Sequence, residues 1–133
     1  MKTLKARDVM TRPVVSARKN ASARDIAMQI LSGLYSGMPV TDESGKVIGV
    51  VTEFDLLSKV REGKELVKLT AEDVMTTNPV TVDENKAMEE VLNTMIENNV
   101  IRIPVTREGR LTGVIARCDI LRTYIEPEFV TYM

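Results

Sequence analysis

The chain predicts an α+β fold built twice from one β-α-β-β-α unit, and three observations carry that prediction. Its motifs recur in order: Val9-Met10-Thr11 as Val74-Met75-Thr76, Met38-Pro39-Val40 as Ile103-Pro104-Val105, and Gly49-Val50 with Asp55-Leu56-Leu57 as Gly113-Val114 with Asp119-Ile120-Leu121. The spacing slips by one residue between copies, in the turn Asp42-Glu43-Ser44-Gly45 against Arg107-Glu108-Gly109, as expected of a tandem duplication. The third observation is length. At 133 residues one compact domain is expected, and each half alone is only marginally able to bury a core. The two halves are therefore expected to share a hydrophobic interface about a pseudo-twofold axis, where a cleft is a natural ligand site.

Each copy opens on a short helical turn, Ala6 to Met10 and Ala71 to Met75, the second started by Thr70 as N-cap with Asp73 three residues on. Pro13 and Pro79 end those turns, and Val14-Val15-Ser16 and Pro79-Val80-Thr81 follow as short extended segments. A helix comes next. Ile26, Ile30, Leu31 and Leu34 fall at helical spacing, as do Val91, Leu92, Met95 and Ile96, and Ser22 with Asp25 has capping-box spacing. Met38 to Thr41 and Lys46 to Val51 flank a glycine turn and predict a hairpin, repeated by Ile103 to Thr106 and Arg110 to Ile115 around Gly109. A last helix follows each hairpin, from Glu53 to about Arg61 and from Arg117 to about Ile125. The boundaries that result are 5–62 for the first copy, 63–69 for a charged linker, 70–126 for the second copy and 127–133 for a tail. That tail either frays or places Phe129 and Tyr132 on a partner.

Composition narrows function by exclusion. The chain has no histidine, which removes the commonest general base and metal ligand, and its lone cysteine, Cys118, makes neither an internal disulfide nor a structural zinc site. No phosphate-binding glycine loop is present. The pairs Glu53/Asp55 and Glu89/Glu90 read as helix N-terminal charges or solvated faces. No catalytic residue, metal site or required cofactor is expected. Eighteen basic and 19 acidic residues give a net charge of −1, which with two Phe, three Tyr and no Trp disfavours nucleic acid. No apolar run approaches membrane-spanning length and the start lacks a signal-peptide pattern, so a soluble cytoplasmic protein is expected. Met10, Met28, Met75, Met88 and Met95 are expected to fill the core, as is Cys118 in preference to a redox role.

What remains is the junction Gly49-x-x-Thr52-x-x-Asp55: a strand end, a tight turn and a helix N-terminus whose free N–H groups suit an anionic or hydroxyl-rich ligand. The same spacing is a capping box. In the second copy Ala116 replaces Thr52 while Asp119 keeps the place of Asp55, and the helix dipole alone favours an aspartate there by a few tenths to about 1 kcal/mol. Gly49 and Gly113 fit either close backbone approach or tight packing.

The two Asp-Val-Met-Thr turns, the two x-Pro-Val strands and the two Gly-Val-x-x-x-x-Asp junctions together resemble a tandem pair of cystathionine-β-synthase (CBS) domains, a Bateman module, over residues 5 to 126. The resemblance implies a regulatory module binding AMP, ADP, ATP or S-adenosylmethionine between the repeats. It implies that Asp55 and Asp119 take the ribose hydroxyls, a role for which a carboxylate can accept two bonds, and that Thr52 helps hold ribose or phosphate. Adenine is then expected against Val15, Ser16, Met38 and Pro39 in one cleft and Val80, Thr81, Ile103 and Pro104 in the other. Arg102 matches an arginine that reaches phosphates across the module in a related kinase gamma subunit, whereas Gly37 occupies its place in the first copy. The resemblance thus implies one competent site, with Thr52, Asp55 and Arg102, and one weak or empty site, with Asp119 and Arg117 as substitute cation.

The expected function is a non-enzymatic sensor that passes ligand occupancy to a protein partner in trans. A homodimer is expected, paired through helix faces that include Ile26/Ile30 and Leu56/Leu57. The alternatives are a nucleic-acid-binding module and a structural dimerisation adaptor with degenerate clefts.

Overall fold

Each hydrophobic core is completed by a segment drawn from the other copy of the repeat. The computed structural model describes residues 3–12, 14–33 and 35–131, with side chains as far as 125, so Pro13, Leu34, Tyr132 and the side chain of Phe129 lie outside the described residues. In chain order the elements are α1 (Ala6–Val9), β1 (Ala17–Arg18), α2 (Ala23–Gly33), β2 (Gly37–Thr41), β3 (Val47–Thr52), α3 (Glu53–Arg61), a 3₁₀ turn (Leu66–Lys68), α4 (Ala71–Val74), β4 (Thr76–Thr77), β5 (Val82–Asp83), α5 (Met88–Glu97), β6 (Arg102–Arg107), β7 (Arg110–Ala116) and α6 (Arg117–Thr131). They form two units. The continuous unit is Val15–Pro79; the split unit joins the residues up to Val14 to those from Val80 onward.

In the continuous unit the sheet order is β1-β2-β3-β4. Strands β1 and β2 are parallel, with α2 as the crossover, and β2-β3 is the expected antiparallel hairpin. Asp42 Oδ1 holds its turn by accepting from Ser44 N, Ser44 Oγ and Lys46 N. Ala23, Ile26 and Ile30 of α2 are buried, and their cluster includes Met38, Val40, Val51 and Leu56 of the hairpin and α3, with Ala71 and Val74 of α4. The split unit repeats the plan with β5-β6-β7 and a second core of Ala6, Val82, Met88, Val91, Met95, Ile103, Val105, Ile115 and Ile120. Its hairpin turns on Glu108 and Gly109, both at positive φ, which is the two-residue form suited to a twisted ribbon.

The leaders are exchanged. Thr76 and Thr77, which close the leader of the second copy, pair as β4 with β3 of the first. Thr11, which closes the first leader, exchanges backbone hydrogen bonds with Val114 of the second copy at 2.8 and 3.2 Å. Glycine is required at the crossing points. A Cβ on Gly49 would lie 2.5 Å from Met75 Sδ and 2.9 Å from Thr76 O, and one on Gly113 would lie 2.4 Å from Met10 Sδ. The glycines thus mark close approach by the exchanged leader.

Several expectations are corrected. Strand pairing begins at Ala17 and Val82, after the segments containing Val15, Ser16, Val80 and Thr81. Within the linker, Leu66 and Leu69 pack on the continuous core through the 3₁₀ turn, so it is structural as well as connecting. Helix α6 runs through Glu126 and Pro127 to Thr131; proline's fixed φ is itself helical, so the residue removes one ladder bond without forbidding the helix. No hydrogen bond joins Ser22 to Asp25 among the described residues, and the N–H of Ala23 donates instead to Leu69 O. Ile26, Ile30 and Leu56 belong to the core and are not free helix faces. Met28 and Cys118 are exposed because each lies two residues from a core position, Ile26 and Ile120, and so points away from it.

Candidate functional site: the two strand-to-helix junctions

Strand β3 ends at Thr52, whose extended backbone (φ −111°, ψ 169°) makes it the N-cap of α3. Asp55 N donates to Thr52 Oγ1 at 3.2 Å, while Asp55 Oδ2 accepts from Thr52 N at 2.8 Å and from Thr52 Oγ1 at 3.0 Å. The reciprocal capping box is therefore formed. The second carboxylate oxygen, Oδ1, accepts from Thr76 Oγ1 at 3.1 Å, a contact from the exchanged leader. Thr76 is exposed and Asp55 half-buried.

Sheet register sets the neighbours. Gly37, Met38 and Pro39 pair with Thr52, Val51 and Val50, so the x-Pro strand lies directly beside the junction. Met38 is a core residue at 1% exposure and Pro39 is buried, while Val15 and Ser16 are exposed on the approach to β1.

The split unit builds the same junction with different chemistry. Asp119 Oδ2 accepts from Ala116 N at 2.7 Å, and no hydroxyl stands at 116 to complete the box. Asp119 Oδ1 lies 3.5 Å from Arg122 Nη1. Arg102 pairs across the ladder with Ala116, and Arg117 N donates to Ile101 O, so the backbone sets both arginines at this junction. Ile103 is fully buried in the core, Pro104 is buried, and Val80 and Thr81 are half-buried ahead of β5.

Asp55 and Thr52 come together as the spacing predicts. Thr76 and Arg122, the partners of the two outer carboxylate oxygens, are absent from the sequence prediction. The signal for Thr76 is present in the repeated Val-Met-Thr motif, but nothing in one sequence says which strand that motif meets. Arg122 stands three residues after Asp119, an ordinary helical ion-pair spacing.

The CBS domain family model matches residues 6–62 and 71–126. The chain belongs to the CBS domain family. It is 31% identical to the uncharacterised protein YlbB of Bacillus subtilis, covering 87% of this chain and 79% of YlbB. L-aspartate semialdehyde sulfurtransferase of Methanocaldococcus jannaschii is 27% identical over 89% of this CBS chain, which spans only 23% of the length of that enzyme. Among solved structures, the CBS domain pair of protein MJ0100 in complex with 5′-methylthioadenosine and S-adenosyl-L-methionine superposes with a TM-score of 0.81 at 25% identity, covering 95% of this chain and 99% of that one. The repeated α+β units are thus those of a CBS pair. Among the described residues no cluster of His, Cys, Asp or Glu is arranged to hold a metal ion, and no helix is long and apolar enough to cross a membrane.

Proposed function

We propose that the chain is a regulatory module that binds an adenosine-containing ligand, AMP, ADP, ATP or S-adenosylmethionine, at its strand-to-helix junctions and passes occupancy to a protein partner. The observation that carries the reading is Asp55 Oδ1. One oxygen of this carboxylate is committed to capping α3, while the other, among the described residues, meets an exposed threonine hydroxyl and keeps acceptor capacity for a sugar hydroxyl. Membership of the CBS family, and the adenosyl compounds bound by the MJ0100 pair, support the choice of ligand class. Val15, Ser16 and Pro39 are the neighbours for adenine in the continuous unit, and Val80, Thr81 and Pro104 in the split unit. Arg102 and Arg117 are the candidate cations for phosphate. A ligand regulates only if it binds one arrangement of the protein better than another, so the module's output depends on that difference in affinity.

Titration calorimetry with AMP, ADP, ATP, S-adenosylmethionine and 5′-methylthioadenosine tests the reading. One tighter site, weakened at least about tenfold by Asp55→Ala and little by Asp119→Ala, is the expected result. Absence of heat with all five compounds at millimolar concentration overturns it.

We further propose a homodimer. Both units leave apolar side chains exposed on their paired helices, Met28, Leu31, Leu57 and Val60 in one and Ile96, Leu121 and Tyr124 in the other. In the split unit these border a groove of about 450 Å³ lined also by Leu92, Met95 and Ile120. Sedimentation at micromolar concentration should give twice the chain mass, reduced to the chain mass by Leu57→Glu with Leu121→Glu. A monomeric parent protein excludes the dimer.

A further inference from the structure

We infer that Thr76 reads a second sugar hydroxyl in the continuous unit, which makes the site's acceptor a carboxylate–hydroxyl pair in place of a carboxylate alone. The inference rests on the adenosyl reading above and goes beyond it by naming the group that takes the other half of the ribose diol. A carboxylate has about four acceptor positions, two on each oxygen. On Asp55 both positions of Oδ2 are filled, by Thr52 N at 2.8 Å and Thr52 Oγ1 at 3.0 Å. On Oδ1 one is filled, by Thr76 Oγ1 at 3.1 Å. A single position is left, so Asp55 by itself accepts one sugar hydroxyl and not two.

The remaining acceptor is Thr76. Its hydroxyl has given its only proton to Asp55, so its oxygen can act only as an acceptor toward anything else. Asp55 Oδ1 and Thr76 Oγ1 are therefore two adjacent acceptors with no proton to offer, and neighbouring hydroxyls on a sugar ring are two adjacent donors. A phosphate or carboxylate, which brings no proton, is not bonded by this pair while Thr76 donates to Asp55. Thr76 is exposed, so its oxygen is reachable. The split unit lacks the pair. Thr11, the counterpart of Thr76, meets Val114 through its backbone, no side-chain bond joins Thr11 to Asp119 among the described residues, and Asp119 Oδ1 faces Arg122 instead.

Adenosine, the fragment common to all the proposed ligands, is the probe, together with 2′-deoxyadenosine and 3′-deoxyadenosine. The readout is the amide NMR signals of Thr52 and Asp55, which report the continuous unit alone. The wild-type protein should bind adenosine about three- to tenfold more tightly than at least one deoxy form. Thr76→Val should weaken adenosine by a similar factor and erase its advantage over that deoxy form, and Thr76→Ser should restore both. A merely structural threonine gives a different pattern: Thr76→Val would weaken all three nucleosides equally, and that result overturns the inference. Equal affinity of the wild-type protein for all three nucleosides overturns it without any variant. No response to adenosine in the wild-type spectra rejects the adenosyl reading itself, and the role of Thr76 falls with it.

Discussion

The continuous unit starts α3 and α4 with a threonine and an aspartate; the split unit starts α6 and α1 with the aspartate alone. In all four the aspartate does the same backbone work. The N–H of Thr52, Thr70, Ala116 and Lys5 donates to Asp55, Asp73, Asp119 and Asp8 at 2.8, 2.8, 2.7 and 2.8 Å. Capping is therefore sufficient to explain an aspartate at each place, and its recurrence alone says nothing of a ligand. The units differ in the hydroxyls. Thr52 and Thr70 each add a bond to the carboxylate at 3.0 Å, and Thr76 engages the outer oxygen of Asp55, where the split unit offers Arg122 to Asp119. What distinguishes the junctions beyond capping, and what the proposed ligand would meet, is the outer oxygen and the group that stands on it.

The crossing glycines give the largest way to break the comparison. A methyl group on Gly49 meets the carbonyl of Thr76, which is backbone of β4 and has nowhere to go without opening the ladder. On Gly113 the nearest atoms all belong to the Met10 side chain: its sulfur end can swing aside, whereas its Cβ, 2.9 Å away, moves only with the leader backbone, so a smaller adjustment of that backbone is still needed. Overpacking costs typically about 1–3 kcal/mol. Gly49→Ala should fall at the top of that range and Gly113→Ala lower within it, as read by urea denaturation. Gly49→Ala should also loosen the bond from Thr76 to Asp55. Equal losses would mean that the two leaders are held alike and that the backbone contact at Gly49 is of no consequence.

These crossings also show what one sequence could reveal. The duplication, both hairpins and the helices were legible, since each rests on local period or turn chemistry: Ile26 and Ile30 at one-turn spacing, Gly45 and Gly109 between β-rich runs. The junction was legible as Thr52 with Asp55, because capping is a local rule. Exchange of the leaders was not. Val74-Met75-Thr76 follows the first copy and opens the second, and chain order is silent on which sheet edge it joins. The requirement for Gly49 was visible as a glycine, but its cause, Met75 and Thr76, is a tertiary contact. For the same reason the residues assigned to an adenine face included Met38 and Ile103, which strand alternation and the sheet's covering helix place in the cores.

A smaller effect sharpens the comparison at the caps. Replacing a threonine N-cap by alanine costs typically about 1 kcal/mol, so Thr52→Ala should destabilise the continuous unit by that amount. The reciprocal change, Ala116→Thr, should stabilise the split unit by a similar amount if its backbone offers the same geometry as Thr52. Chemical denaturation of both variants and of the double variant tests this, and the two changes should add to near zero because they lie in different units. Failure of Ala116→Thr to stabilise would show that the split junction excludes a hydroxyl for a reason other than its absence from the sequence.

The smallest expected effect concerns the leaders themselves. The Asp73 carboxyl is held below its ordinary value of 3.8 by the bonds from the Thr70 N–H and the Thr70 hydroxyl, with the positive charges of Lys59 and Lys64 acting in the same direction. A carboxyl depressed in the folded state stabilises the fold fully above its unfolded value and loses that contribution as the pH falls through its folded value. Asp73→Asn should therefore lower the thermal midpoint by a constant small amount from neutral pH down to about the ordinary carboxylate value. Below that, the gap to the wild-type protein should close as Asp73 protonates. Because the group is exposed, the gap should also shrink in high salt to the extent that the lysines contribute, and persist to the extent that the Thr70 bonds do. A gap that vanishes entirely in salt would assign Asp73 to the lysines and remove α4 from the comparison, leaving the junction at Thr52 as the one start where the hydroxyl counts.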